Sequence, residues 1–454
     1  MASIMPLIST LIKLISSITQ HDILLVVTVV SGLFYLLLYK RKVSIYLLDF
    51  TCYRPPDSLR VPMSMYVEHL IHEGFDPDAI SFQVKILARS GLSQETCIPP
   101  SLRELPIKKS LSFSKEEAAT VMFSAVTELL EKNKINPRSI DILITNSSVY
   151  SPSPSLCAMV INEFRMRSNI LSFNLSGMGC SASLVSIGLA KDLLKVHRNS
   201  LALIVSSESL SQNWYTGKNH SMLIANCLFR MGGAAILLSS KEQDKKIAKY
   251  QLQHVIRISK AQDDQSYACI FQDEDREEKT GISISKSILN VAGEALKANM
   301  ASLGPLVLPF SEQFQYGLSF VCKKTGLLGR WKTYTPNFKR VFEHFCIHPG
   351  GKAVLLAIQE GLKLTEDEME ASKMTLHRFG NTSSSSIWYE LSYTETKGRM
   401  KRDNRVWQIC LGGGFKSNSA VWKCLHTIEP EKGNAWSDRI DSYPVDIPDI
   451  VEID

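Results

Sequence analysis

Residues 170–183, Ile170-Leu-Ser-Phe-Asn-Leu-Ser-Gly-Met-Gly-Cys180-Ser-Ala-Ser183, run from an apolar strand through a glycine turn into a helix. The strand is the short apolar run 170–175, and the helix follows over 181–196 with apolar residues at helical spacing. Gly177 and Gly179 permit a tight turn and close approach of another group. A thiol at the start of a helix faces unsatisfied backbone N–H groups and the positive end of the helix dipole. Both favour thiolate, so Cys180 is expected to have a lowered pKa and to act as a nucleophile. The alternative is a packed structural cysteine among small residues. A third reading takes Gly177, Gly179 and Ala182 as a dinucleotide-binding G-x-G-x-x-A, with Glu208 as its acidic partner after the next strand.

The same strand–helix grammar extends on both sides. Upstream, 115–132 is an amphipathic helix with Ser114 as its N-cap and Glu116 and Glu117 in its first turn. Strand 140–145 and helix 155–167 follow, and 201–206 and 233–238 are strands beyond the Cys180 helix. A second pass has helix 285–299, a strand ending at 344–348, helices 351–362 and 384–396, and strands 406–411 and 420–424. Alternation of this kind implies parallel sheets covered by helices, here as two related halves. Halves at 113–280 and 281–429 would be preceded by a linker and extension over 43–112 and followed by a tail over 430–454.

Two further junctions carry reactive types. Phe345-Cys-Ile-His348-Pro-Gly-Gly places a histidine at a glycine-rich entry to a helix, and Met374-Thr-Leu-His-Arg-Phe-Gly-Asn381-Thr-Ser places an amide at what reads as another strand-to-helix turn. Taken singly, such a histidine is a satisfied structural residue and such an asparagine a cap. Together, Cys, His and Asn suit acyl transfer: a thiolate nucleophile with imidazole and amide donors. Papain-like proteases use the same types in the same order, but the C-G-x-C-W signature is missing around Cys180. Cys346 and His348 share a strand face, yet no second ligand pair makes a metal site of them.

The chain has 454 residues, 44% hydrophobic and 21% charged, with a net charge of +6. This is globular composition with an apolar bias, with no aromatic-interleaved basic cluster to mark a nucleic-acid surface. Its 10 cysteines form no CxxC pair, which fits a reducing, cytosol-facing domain. Segment 23–39 is an uncharged apolar run followed at once by Lys40, Arg41 and Lys42. It reads as a retained membrane anchor with the basic flank, and hence the folded domain, on the cytosolic side. Segment 5–18, interrupted by Lys13, is a possible second span or an interfacial helix. Segment 303–322 is long, apolar and carries only Glu312 as a charge; it reads as a buried helix, or alternatively as one lying in a bilayer surface.

The stretches FNLSGMGCSAS (173–183), NCLFRMGGAAILLS (226–239), GEALKANMASLGPLVLP (293–309), FEHFCIHPGGKAV (342–354), MTLHRFGNTSSSSIWYELSYTE (374–395) and GRMKRDNRVWQI (398–409) resemble the plant 3-ketoacyl-CoA synthases. The resemblance runs from about residue 43 to about residue 429. It implies a thiolase-like duplicated fold in α/β/α/β/α layers and a condensation of acyl-CoA with malonyl-CoA that needs no bound cofactor. It also implies an endoplasmic-reticulum membrane setting, a homodimer, and reductase and dehydratase partners of the elongation cycle. Carried over by position, Cys180 matches the family nucleophile, His348 its histidine and Asn381 its asparagine. His344, His377, Gly413 and Phe415 are expected as active-site neighbours. The chain departs from the family at Ser259, usually histidine, and at Ser147 and Ser417, often cysteine. It has Gly412-Gly-Gly-Phe415 where Gly-Ser-Gly-Phe is common, and it lacks two clear N-terminal spans. The departures leave a weakly active or non-catalytic scaffold of the elongation complex as the alternative.

Overall fold

The computed structural model describes residues 24, 25, 27–33, 43–325 and 334–451. The chain divides into two units, Met1–Ser44 and Ile45–Asp454. In the first, the described residues 24, 25 and 27–33 are helical, and Leu24, Leu25, Val27, Val29, Val30 and Leu33 are exposed. No helix of the described residues is long and apolar enough to cross a membrane. The rest of the expected anchor, and the whole of segment 5–18, lies outside the described residues.

In the second unit a nine-stranded sheet runs β3 (Leu171–Leu175), β2 (Ile142–Asn146), β4 (Leu201–Ser207), β5 (Gly233–Ser239), β1 (Tyr46–Cys52), β6 (Tyr250–Ser259), β11 (Lys416–Cys424), β10 (Arg405–Gly412), β9 (His344–Ile347). Strands β3, β2 and β4 are parallel, as are β10 and β9; the remaining neighbours are antiparallel. Strands β2, β4 and β5 are buried at every residue, which is why they read as unbroken apolar runs rather than as alternation. The two passes meet where β1 pairs β6 through only Tyr46↔Gln251 and Leu47↔Tyr250. Between them lie two helices. Ala182–Val196 packs on β2 and β4 of its own half and on β6 and β11 of the other, and Ser386–Thr396 packs on β9, β10 and β1. The expected alternation of strands and helices is present, but the sheet is mixed and not parallel throughout: β5, β1, β6 and β11 pair antiparallel with both neighbours, so that all nine strands form one ladder.

Several local expectations change. Residues 46–52 are not linker: β1 is wholly buried between β5 and β6. Its sequence, YLLDFTC, hides a strand because buried Asp49 interrupts the apolar run, and Lys132 and Lys249 neutralise that carboxylate. Strand β6, inside the expected first half, pairs with β11 of the second. The 430–454 tail is also part of the fold: Trp436 is fully buried and its indole N–H donates to the Tyr389 carbonyl at 2.8 Å. The first long helix begins earlier than expected, at Leu111, with Ser110 as its cap. Ser114 is buried inside it, and Glu117 accepts hydrogen bonds from Ser209, Leu210 and Ser211 rather than facing the helix dipole. Segment 303–322 is not one buried helix. It divides at Leu308-Pro309 between helices Ile288–Val307 and Phe310–Lys324, and most of the second is exposed.

Candidate active site

Strand β3 ends at Leu175, and Gly177 (φ +66°) and Gly179 (φ +63°) turn the chain into the one-turn helix Gly179–Ser181 that leads into Ala182–Val196. Gly179 is required twice over. Its φ is left-handed, and a Cβ there would meet the Gly413 nitrogen at 2.3 Å. A Cβ on Gly412 would in turn meet Ser181 Oγ at 2.7 Å, so the Cys180 turn and the turn after β10 are pressed together backbone to backbone. That contact fills the space a pyrophosphate needs, and the dinucleotide reading falls with it. Glu208 is equally committed: buried, its carboxylate accepts from Ser147 Oγ at 2.8 Å, from the Ser148 and Val149 amides, and from Ser383 Oγ at 3.2 Å.

His348 closes β9, its amide donating to the Ile409 carbonyl at 2.9 Å, and Gly350 and Gly351 lead from it into helix Lys352–Leu362. Asn381 does not follow a strand. It lies between helix Glu366–Phe379 and the turn Ser383–Ser385, which opens helix Ser386–Thr396. The periodicity of 366–379 is blurred by buried Glu370, Ser372, Thr375 and Arg378, which is why the segment reads poorly as a helix. Asn381 is instead strand-like through contact with the other half: its amide donates to the Leu228 carbonyl at 3.1 Å and its carbonyl accepts from Arg230 N–H at 2.9 Å.

Cys180, His348 and Asn381 line one cavity of about 400 Å³. Leu210, Trp214, Phe229, Ile270, Phe271 and Ile284 give it an apolar wall. The Asn381 side-chain oxygen accepts from Ser383 N–H at 2.8 Å, which turns the NH₂ toward Gly350, 3.5 Å from its carbonyl, and toward the sulfur. Ser383 adopts a left-handed backbone (φ 58°) that serine tolerates at a cost, held by that N–H bond and by Glu208. Its hydroxyl lies 3.7 Å from Cys180 Sγ.

The electrostatics reverse the expected acidic thiol. Cys180 is only half-buried by exposure, yet protein crowds it from all sides, and desolvation pushes its pKa up to about 12 against the lowering effect of Ser383, its own backbone and Asn381; Glu208 adds to the rise. Burial likewise pushes His348 down to about 3. The resting pair is neutral thiol and neutral imidazole, and the helix start does not outweigh desolvation. His348 Nδ1 has no hydrogen-bond partner among the described residues, so no carboxylate fixes its tautomer.

Of the four expected neighbours, Gly413 and Phe415 line the cavity. His344 and His377 do not. His344 Nε2 pairs with Asn404 at 3.1 Å at the far end of β9, and His377 faces Tyr443 from a helix. Ser259 is exposed at the end of β6 and is absent from the lining, so the family difference there does not touch the reactive groups. Ser383 and the hairpin β7 (Ile270–Glu274)–β8 (Thr280–Ile284) were not anticipated. The charged run at its tip masks the short apolar strands that supply Ile270, Phe271, Ile282 and Ile284 to the cavity.

Residues 37–325 match the family described as FAE1/Type III polyketide synthase-like protein, and residues 325–418 match the chalcone and stilbene synthase C-terminal domain. Among curated relatives, Probable 3-ketoacyl-CoA synthase 21 of Arabidopsis thaliana is 60% identical over 422 residues, 92% of this chain and 91% of that one. 3-Ketoacyl-CoA synthase 7 of the same plant is 51% identical over 430 residues, 94% and 93% of the two chains. Among solved structures, the C-terminal type III polyketide synthase domain of Steely1 from Dictyostelium superposes with a TM-score of 0.66 at 16% identity, covering 84% of this chain and 99% of that one. A fungal type III polyketide synthase, ORAS, gives 0.63 at 18% identity over 84% and 99%. At such identities the structures speak for the fold alone.

Proposed function

The chain belongs to the 3-ketoacyl-CoA synthases of the FAE1/type III polyketide synthase-like family, and on that premise we propose that Cys180, His348 and Asn381 carry its condensation. The enzyme joins an acyl-CoA to the two-carbon unit of malonyl-CoA in very-long-chain fatty acid elongation, and the scaffold alternative is not favoured. The observation that carries the residue assignment is the convergence of the three side chains on one apolar cavity.

Cys180 sulfur attacks the acyl-CoA thioester carbon, the C–S bond to CoA breaks, and the thiol proton leaves with CoA. Burial raises the thiol pKa and lowers that of the imidazole, so the Cys180 proton must be given up in the course of acyl transfer. The apolar wall receives the acyl chain. Malonyl-CoA then loses CO₂, and its thioester oxygen takes the charge of the resulting enolate. His348 and the Asn381 NH₂ donate to that oxygen. The enolate carbon attacks the acyl-cysteine carbonyl, the bond to Sγ breaks, and the sulfur takes up a proton as 3-ketoacyl-CoA leaves. Decarboxylation supplies the carbanion, so the step asks for no metal or redox group.

Expression in a membrane host with fatty-acid profiling tests the assignment. Cys180→Ala is expected to abolish elongation, and Asn381→Ala or His348→Ala to slow it about a hundred- to thousandfold. Elongation by Cys180→Ala at the unmodified rate would refute it.

We further propose that the protein sits in the endoplasmic-reticulum membrane with its folded domain on the cytosolic side. The support is the apolar 23–39 run with Lys40, Arg41 and Lys42, and the exposed side chains of Leu24, Leu25, Val27, Val29, Val30 and Leu33. Protease added to sealed microsomes should digest the second unit. A homodimer working with a reductase and a dehydratase completes this reading, since the 3-keto product must be reduced and dehydrated before another round.

A further inference from the structure

Helix Phe310–Lys324 is amphipathic the wrong way round for a helix of a water-soluble surface. Phe310, Phe314, Leu318 and Val321 stand at i, i+4, i+8 and i+11, one face of a helix. That face points outward, with exposures of 80%, 59%, 54% and 55%. The opposite face carries the polar anchor. Glu312, only 2% exposed, accepts from Arg340 Nη1 at 2.9 Å, the Tyr334 hydroxyl at 2.8 Å and Asn337 N–H at 2.9 Å. Ser319 Oγ accepts from Tyr334 N–H at 3.1 Å. The helix is thus fastened by its polar side and presents its apolar side.

We propose that this helix is a membrane-contacting element that lays its aromatic stripe into the lipid headgroup–acyl boundary. Charge separates a lipid surface from a protein partner here. The helix has one carboxylate, Glu312, which is buried and paired with Arg340, so none faces outward. Lys323, in the last turn and on the same side as Glu312, is exposed and leaves a cation at the end of the helix. An apolar stripe with no outward carboxylate and a cation at the helix end suits an anionic lipid surface. Tyr316 and Phe320, stacked at 6.3 Å along one flank, are the amphipathic and aromatic types that settle at such a boundary. Leu306, exposed at the end of the preceding helix, extends the apolar area. That preceding helix begins with Ile288 and Ala292 in the cavity wall, so one continuous segment joins the acyl-binding wall to the contact surface. The proposal draws on the membrane setting proposed above but rests on a separate element.

The test uses the full chain reconstituted in phosphatidylcholine–phosphatidylserine vesicles whose acyl chains are either brominated or plain. Single variants Phe314→Trp, Val29→Trp and, as an exposed control, Val196→Trp are compared with the unmodified chain, whose emission is subtracted. The added emission of Phe314→Trp is expected to be lost to brominated lipid and shielded from acrylamide, and that of Val196→Trp to behave oppositely. If Phe314→Trp stays open to acrylamide and unquenched while Val29→Trp is quenched, the helix proposal fails and the anchor stands. If neither is quenched, both fail. Shielding of Phe314→Trp without quenching by bromine identifies a protein contact and overturns the proposal, as does equal quenching of Val196→Trp.

Discussion

Helix Ser386–Thr396 and helix Phe310–Lys324 have much the same share of apolar residues and opposite surroundings. The first reads Ser-Ile-Trp-Tyr-Glu-Leu-Ser-Tyr-Thr-Glu-Thr and is buried at all of its residues. The second carries three phenylalanines, a tyrosine and a leucine, and is mostly exposed. The first helix is buried because most of its polar groups find partners; Glu390 Oε1 has none among the described residues, and burial pushes that carboxyl well above its usual range. Trp388 Nε1 donates to Ser183 Oγ at 2.6 Å, Glu390 accepts from Ser372 Oγ at 2.6 Å, and Glu395 accepts from Lys249 and Tyr250. Burial of polar groups costs little once they are satisfied, while an apolar face fastened outward marks a second solvent. The turn that opens the buried helix also holds Asn381, whose side-chain oxygen accepts from Ser383 N–H at 2.8 Å.

The sharpest way to break this contrast is to unbalance the buried side. Lys249→Met leaves Glu395 without its cation and Asp49 with Lys132 alone, and about 3–5 kcal/mol of stability should be lost in denaturant titration, enough to lower the folded yield. Trp388→Ala, which removes a fully buried ring beside Phe50 and Trp422, should cost a comparable ~3–5 kcal/mol. Ser183→Ala keeps the ring but strands its N–H, with an expected loss of ~1–3 kcal/mol read from the denaturation midpoint. On the exposed side, Phe314→Ser should change stability by no more than about 0.5 kcal/mol. A large loss there would show that the stripe packs against protein.

The buried site also gives a pH dependence with a definite sign. His348 is held down to about 3 from its ordinary 6.5, so below 6.5 the unfolded chain binds a proton the folded chain does not. Its contribution to stability is complete above 6.5 and should fall as pH drops from there toward about 3. His348→Gln should flatten that part of the stability–pH curve. In the same spirit, alkylation of Cys180 by iodoacetamide should still be climbing at pH 9, because burial holds the thiol up to about 12. A rate that levels off near neutrality would show a thiolate already formed.

What could be read ahead followed the physics of each segment. The Cys180 turn was legible because two glycines between an apolar strand and a helix admit few conformations. His348 was legible as a strand end before a glycine pair. Asn381 was found, but its setting was misread, since four buried polar residues erase the apolar stripe of the helix before it. Strand β1 was missed for the same reason at Asp49, and hairpin β7–β8 was hidden by its charged tip. Ser383 gave no local signal, being one serine among four.

The sequence alone determined the alternation of strands and helices, because backbone preferences and periodicity are local, and its long motifs pointed to the family and to Cys180, His348 and Asn381. Only the tertiary structure decided the protonation of Cys180 and His348, the joining of both halves through β1 and β6, and which of the long helices faces inward. Those properties depend on desolvation and on partners distant in the chain, such as Lys249 for Asp49 and Arg340 for Glu312, and no local pattern carries them.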